Sequence, residues 1–258
     1  MGKRSRAGGG LGAAALAVIA AVVVALIAFG DGGNGDRASW PGGGWNRADG
    51  GTASAASADR LAGGAQLAAD EAALAAALAW LDALPAPADP GAAPSYEREA
   101  FLPGGWADLD RDGCHTRNEI LQRDLADVAF LAEDPGCKVA SGRLTDPYTG
   151  AVIDFERAES TTTVQVDHIV PLAQAWRAGA WRWTKDQRQA FANDPAELLA
   201  VDGAANQAKG DQGPSEWLPE LNQCGYAAAY ANLAGRYELA IPAADADALR
   251  RVLTACAD

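Results

Sequence analysis

The chain opens with Lys3, Arg4 and Arg6, followed by an uncharged apolar run of 19 residues from Leu11 to Phe29. That length serves a signal-peptide core or a single membrane span. Ala28-Phe29-Gly30 offers a small-x-small cleavage triplet, yet the run is long for a signal peptide. Residues 1–30 are therefore read as a signal peptide or an N-terminal membrane anchor. The basic flank stays in the cytoplasm, which places everything after Gly30 outside, secreted or held at the membrane. Residues 31–64 are rich in Gly, Ala, Ser and Asp, with few large aliphatics, and read as a flexible spacer. Leu67, Leu74, Leu78 and Leu81 recur at helical spacing and predict a helix over 65–84, ended by Pro85. Residues 85–94 form a Pro-rich linker, so the folded domain is expected over 95–258.

Within that domain the pattern alternates between helical and extended periods. Thr116, with Glu119 three residues on, reads as a capping box for a helix to about Ala132 that carries Ile120, Leu121, Leu125, Val128 and Phe130. Ala151–Phe155 and Thr161–Val166 read as strands. Further helices are expected over Pro171–Trp176, with Pro at the first turn, and over Thr184–Ala192, with Thr184 as cap. Leu198–Val201 reads as a short strand, followed by a helix from Gly203 to Lys209. Gly225–Arg236 and Asp245–Cys256 close the chain as helices. The class is α+β, a small and mostly helical domain.

Composition narrows the chemistry. The formal net charge of −13 and sequence pI near 4.5 exclude a globally basic nucleic-acid binder, but not a local basic groove. The best local footprint is Trp176–Arg188, which holds Arg177, Arg182, Lys185 and Arg188 against Asp186. With only two histidines, a His-rich metal site is excluded. Cys114, Cys137, Cys224 and Cys256 sit in an exported segment, where disulfides are favoured. Three pairings exist. Cys114–Cys137 and Cys224–Cys256 are preferred because they close short loops. A four-thiolate zinc site would want closer pairs.

Both histidines fall in the domain. His168 lies in Asp167-His168-Ile169-Val170-Pro171, where a strand meets a helix, and Asn206 and Lys209 share one face of the later helix. The series Asp167-His168-Ile169-Val170-Pro171, Leu198 to Val201 and Asn206 to Asp211 resembles the HNH, or ββα-metal, endonucleases. The likeness is nearer to a secreted branch similar to the C-terminal domain of GmrSD-type restriction endonucleases. It spans roughly 145 residues and takes in Gly113 to Asn118, Asp146 to Gly150, Ala192 to Pro195 and Trp217 to Pro219.

The resemblance implies a ββα core in which Asp167 and Asn206 hold one divalent metal, Mg²⁺ or alternatively Mn²⁺. His168 is then the general base that activates water against a phosphodiester. No nucleotide cofactor is implied, and DNA is preferred to RNA as substrate. The family's middle Asn, which holds the loop around the histidine, is Glu197 here, and Asn193 is a candidate substitute for part of that work. Arg117 and His115 are candidate phosphate and acid–base groups beside Cys114, and Lys209, Arg177 and Arg182 are candidate substrate contacts. Tyr148, the tryptophans around residue 180 and Trp217 read as core. The alternative function is a non-catalytic extracytoplasmic binding module that keeps the fold.

Overall fold

A computed structural model describes residues 67, 69–85, 92–134, 136–159 and 162–257. The apolar run 11–29, most of the spacer-to-helix region before residue 69 and Trp40 and Trp45 lie outside the described residues. Among the described residues, no helix is long and apolar enough to cross a membrane.

The centre of the fold is a hairpin. Strand β4 (Val164–His168) pairs antiparallel with β5 (Leu198–Asp202), with His168 opposite Leu198 and Val164 opposite Asp202. Helix α5 (Gly203–Lys209) follows β5 directly, so β4, β5 and α5 form a ββα unit. Between the two strands run α3 (Leu172–Arg177) and α4 (Lys185–Ala192), the latter started by a complete capping box on Thr184 and Gln187. At the entry to α5 the chain passes so close to β4 that a Cβ on Gly203 would lie 1.9 Å from the Thr162 carbonyl oxygen. Only glycine fits that junction.

The alternation of side chains along the hairpin divides two cores. Leu198 and Ala200, with Val164 and Val166, face a smaller core. It is completed by Ile120, Leu121 and Leu125 from α2 (Thr116–Asp124) and its end, and by Val139, Leu144 and Phe155. Leu199 and Val201 face a larger helical core that includes Phe101, Tyr148, Phe191, Tyr226 and Leu249. A strand buried on both faces needs an unbroken apolar run, which is why Leu198-Leu199-Ala200-Val201 does not alternate.

A second sheet of β1 (Ala126–Phe130), β2 (Val139–Thr145) and β3 (Val152–Glu156) is antiparallel in that order. The expected helix to Ala132 stops at Asp124. Asp124 accepts from the Ala200 N–H (2.8 Å) and grips Arg123, whose guanidinium reaches the carbonyls of Pro195 and Leu198. These bonds fasten the helix end to β5, and Leu125 turns into extended backbone. Thr116 is not the cap either. His115 holds that place without a side-chain bond, and the Thr116 hydroxyl donates to Ala107 O (2.9 Å).

Helix α1 (Glu71–Ala83), capped by Asp70, is part of the larger core rather than an outlying element. Leu74, Ala77 and Leu81 are buried, and the helix packs on α6 (Gln223–Arg236) and α7 (Ala243–Ala257). Small residues on α6 admit it: a Cβ on Gly235 would strike the Trp80 ring at 2.2 Å. Both preferred disulfides are present, Cys114–Cys137 and Cys224–Cys256, with Cα separations of 5.3 and 5.9 Å. The second ties the start of α6 to the end of α7.

If α1 is core, Leu81→Ala in the full chain lowers unfolding free energy by about 2–5 kcal/mol, measured by urea denaturation. A change within about 0.5 kcal/mol, as expected for a surface site, would show α1 to be an appendage.

Candidate active site

Asp167 and His168 end β4, and the pleat sends their side chains to opposite faces. Asp167 enters the side of the larger core. There the Tyr148 hydroxyl donates to its Oδ2 at 2.6 Å, and Lys209 Nζ bonds Oδ1 and Oδ2 at 2.9 and 2.7 Å. The third ammonium proton goes to the His168 carbonyl at 2.6 Å. Lys209 is fully buried, and all three of its donors are used. Burial and the neighbouring Asp167 charge hold the Tyr148 hydroxyl well above its usual pKa, so it remains a donor.

His168 is buried and its ring lies parallel to that of Trp106, ring centroids 5.5 Å apart. Its Nε2 lies 2.9 Å from the Ala192 carbonyl oxygen, which can only accept, so Nε2 carries the proton and Nδ1 the lone pair. Burial lowers the imidazole pKa from 6.5 to about 3 against the opposing pull of that carbonyl, and the charges of Arg98 and Lys209 lower it further.

Glu197 stands opposite this turn. Its carbonyl accepts from Ile169 N (2.8 Å) and its Oε1 from Val170 N (2.9 Å). The group is completely buried, Oε2 has no partner, and burial pushes the carboxyl well above its ordinary range. Glu197 thus ties down the segment that follows His168. Asn193 does other work. Its Oδ1 accepts from Ala107 N (3.1 Å) and its Nδ2 donates to Gln189 O (2.8 Å), so both ends of the amide hold the chain next to Trp106.

A cavity of about 510 Å³ opens at this end of the hairpin, and Asp167, His168, Asn206, Arg117, Arg98 and Trp106 are among the residues that line it. Asn206 Nδ2 donates to Gln165 Oε1 (2.8 Å), which leaves the amide oxygen without a partner among the described residues. Of about four lone-pair sites on the Asp167 carboxylate, Lys209 and Tyr148 take three, leaving one on Oδ1. An amide oxygen and a carboxylate oxygen suit a hard divalent cation in kind. The adjacent Lys209 ammonium already offers Asp167 a positive charge.

Residues 115–249, just over half of the chain, match the family model described as GmrSD restriction endonucleases, C-terminal domain. The chain belongs to that family. An uncharacterized secreted protein of Arthroderma benhamiae is 40% identical over 147 residues, which cover 55% of this chain and 68% of that protein. No solved structure matches.

The GmrSD-type span holds Arg117, Asp167, His168 and Asn206 but not Arg98 or Trp106, which reach the cavity from the preceding segment. Neither was a candidate from sequence, since nothing in the spacing of isolated Arg and Trp residues marks them. Other candidates fall elsewhere. His115 is exposed at the start of α2, outside the cavity lining. Lys209 is spent inside the fold. Arg177 pairs with Asp211 (3.0 Å), itself a lining residue, and Arg182 lies over the Trp181 ring at 4.3 Å. Arg188 bonds the carbonyls of Ala100 (3.0 Å) and Trp183. Arg177, Arg182 and Arg188 of the basic stretch are thus engaged in local pairing and packing.

A further group was legible but unread. Asp108, Asp110 and Asp112 each place one carboxylate oxygen within 4.8 Å of the others. Glu119, on the first turn of α2, feels their charge: burial and then the charges of Asp110, Asp112 and Asp108 raise its carboxyl from 4.5 to about 7.

Two measurements test this geometry. Removing Lys209 alone (Lys209→Ala) leaves a buried carboxylate uncompensated and costs about 3–5 kcal/mol; in a double-mutant cycle Asp167→Asn recovers part of that loss. Additive losses would show the pair is not coupled. In metal-free protein, His168 binds its proton more weakly folded (about 3) than unfolded (6.5), so its contribution is full above pH 6.5 and is lost as pH falls toward 3. Urea denaturation at pH 7 and 4.5 should show a larger loss in wild type than in His168→Phe, and equal losses would mean an ordinary, solvated histidine.

Proposed function

We propose that this chain is a metal-dependent endonuclease that hydrolyses nucleic-acid phosphodiester bonds, DNA before RNA, with His168 as general base. The observation that carries the reading is a single cavity lined by Asp167, His168 and Asn206 of the ββα unit together with Arg98 and Arg117. Membership of the GmrSD C-terminal family supports it.

His168 Nδ1 accepts the proton of the attacking water, while Nε2–H stays on the Ala192 carbonyl and keeps the ring in place. Burial makes the free imidazole a weak base. A phosphodiester anion in the cavity raises its proton affinity again, since a nearby negative charge favours the imidazolium. Arg98 and Arg117 receive the phosphate oxygens, a geometry that planar guanidinium groups match in pairs. Asp167 Oδ1 and Asn206 Oδ1 would hold the divalent ion, Mg²⁺ or Mn²⁺, which when bound supplies charge neutralisation at the phosphate and the leaving oxygen. Trp106 and Glu197 keep the imidazole and the following backbone from moving. The secreted relative supports an extracytoplasmic place of action, and residues 1–30 are proposed as the segment that directs export.

One observation favours the rival reading of a binding module without catalysis: the ammonium of Lys209 already compensates Asp167. Plasmid nicking by the full chain with Mg²⁺ or Mn²⁺ separates the two. The endonuclease reading expects nicking that EDTA abolishes and that His168→Ala reduces by about 10²–10⁴-fold, with single-stranded RNA cut more slowly. Nicking of equal rate in His168→Ala, or none in wild type with either ion, would overturn it.

A further inference from the structure

The twelve residues from Asp108 to Glu119 read Asp-x-Asp-x-Asp-Gly, five further residues, then Glu. That spacing is the one in which a short loop wraps a calcium ion: carboxylates at positions 1, 3, 5 and 12, a main-chain carbonyl from position 7, and Gly at position 6 for the turn. Here these are Asp108, Asp110, Asp112, Glu119, Cys114 and Gly113, and Gly113 has φ +94°. Helix α2 starts at Thr116, which sets Glu119 on its first turn.

Spacing and clustered acids alone do not make a site. A second feature does not follow from them. Asp108 Oδ1 is fully buried and has no hydrogen-bond partner, although Oδ2 of the same carboxylate accepts from Gly113 N at 3.0 Å. A buried carboxylate oxygen with no donor is costly, and buried polar atoms in folded proteins nearly always have a partner. Carboxylate oxygens of Asp110 and Asp112 lie within 4.8 Å of an oxygen of the Asp108 carboxylate, and these neighbours are themselves acceptors. A hard cation satisfies all of them together.

We propose that Asp108, Asp110, Asp112 and Glu119 bind one Ca²⁺ ion, at a site distinct from the proposed catalytic cavity. The ligands are all oxygen, which disfavours zinc, and Cys114 is committed to its disulfide. Four carboxylates and a carbonyl on a loop suit the higher and looser coordination of Ca²⁺ better than the tight octahedron of Mg²⁺. The site has a structural task. The loop begins two residues after Trp106, whose ring lies parallel to that of His168, and Arg117, which lines the cavity, lies within it. A bound ion holds both ends of this stretch in place, and the Cys114–Cys137 bridge pins its middle.

The test uses the full chain, stripped of metal and titrated with Ca²⁺ or Mg²⁺ alone by calorimetry, with melting temperature as a second readout. The expected result is one saturable Ca²⁺ site with Kd of about 10⁻³ M or tighter, a rise in melting temperature, and weaker Mg²⁺ binding. Asp110→Asn and Glu119→Gln should each weaken Ca²⁺ binding by about 10- to 100-fold. His168→Ala should keep it whole, so this site is judged independently of nicking. Absence of saturable Ca²⁺ binding, unchanged affinity in both loop variants, or loss of Ca²⁺ binding in Asn206→Ala instead would overturn the proposal.

Discussion

A buried ammonium is tolerable only when every proton has an acceptor, and the fold around Lys209 is organised by that demand. Two of its bonds go to Asp167 and one to the His168 carbonyl, so the last turn of α5 is fastened to the last two residues of β4. Those residues have no other freedom: their strand is paired to β5, and β5 is enclosed by cores on both faces. The chain from Val164 to His168 and from Leu198 to Lys209 thus behaves as one clasped unit. Its rigidity fixes Asp167 and Asn206 relative to each other although they lie 39 positions apart in the sequence.

The surroundings of His168 follow from the same clasp. Once the backbone at 167–168 is fixed, the imidazole has a narrow slot between the Trp106 ring and the Ala192 carbonyl. Glu197 is buried opposite the turn that follows His168. Burial raises its carboxyl pKa well above the ordinary range, and its Oε1 accepts the Val170 N–H as an amide oxygen would. That bond and the one from Ile169 N to the Glu197 carbonyl hold the turn after His168.

What could be read beforehand divides along the same physical line. The β4–β5–α5 order, the cap at Thr184 and both disulfides were legible, because local spacing and loop closure decide them. The halt of α2 at Asp124 was not, because it depends on a carboxylate bonding Ala200 across 76 positions, which no local propensity reports. Strand β2 was missed since Val139–Thr145 hardly alternates, having one face half covered along most of its length. The place of α1 in the core was hidden too, because the flat face of α6 that receives it is made by glycine and alanine rather than by a hydrophobic pattern. At the site, Asp167, His168, Asn206 and Arg117 could be listed together from their motif, but the diversion of Lys209 and Asn193 to internal bonds depends on burial, and burial is a property of the whole fold.

Charge presents the last constraint. A chain of net charge −13 repels a polyanion at long range, so any attraction must be focused at short range by a walled opening. Arg98 and Arg117 line that opening, and Arg177 contributes from behind by pairing with Asp211, which would otherwise present a bare carboxylate to the same space. An exposed pair of this kind adds little to stability. Its effect is on sign: it removes a negative charge where phosphate would enter. The carboxylates of Asp108, Asp110, Asp112 and Glu119 are the largest remaining opposition on the same stretch of chain as Arg117. A cation bound there would therefore do two things at once, fixing the loop that carries the cavity wall and lowering the electrostatic barrier in front of it.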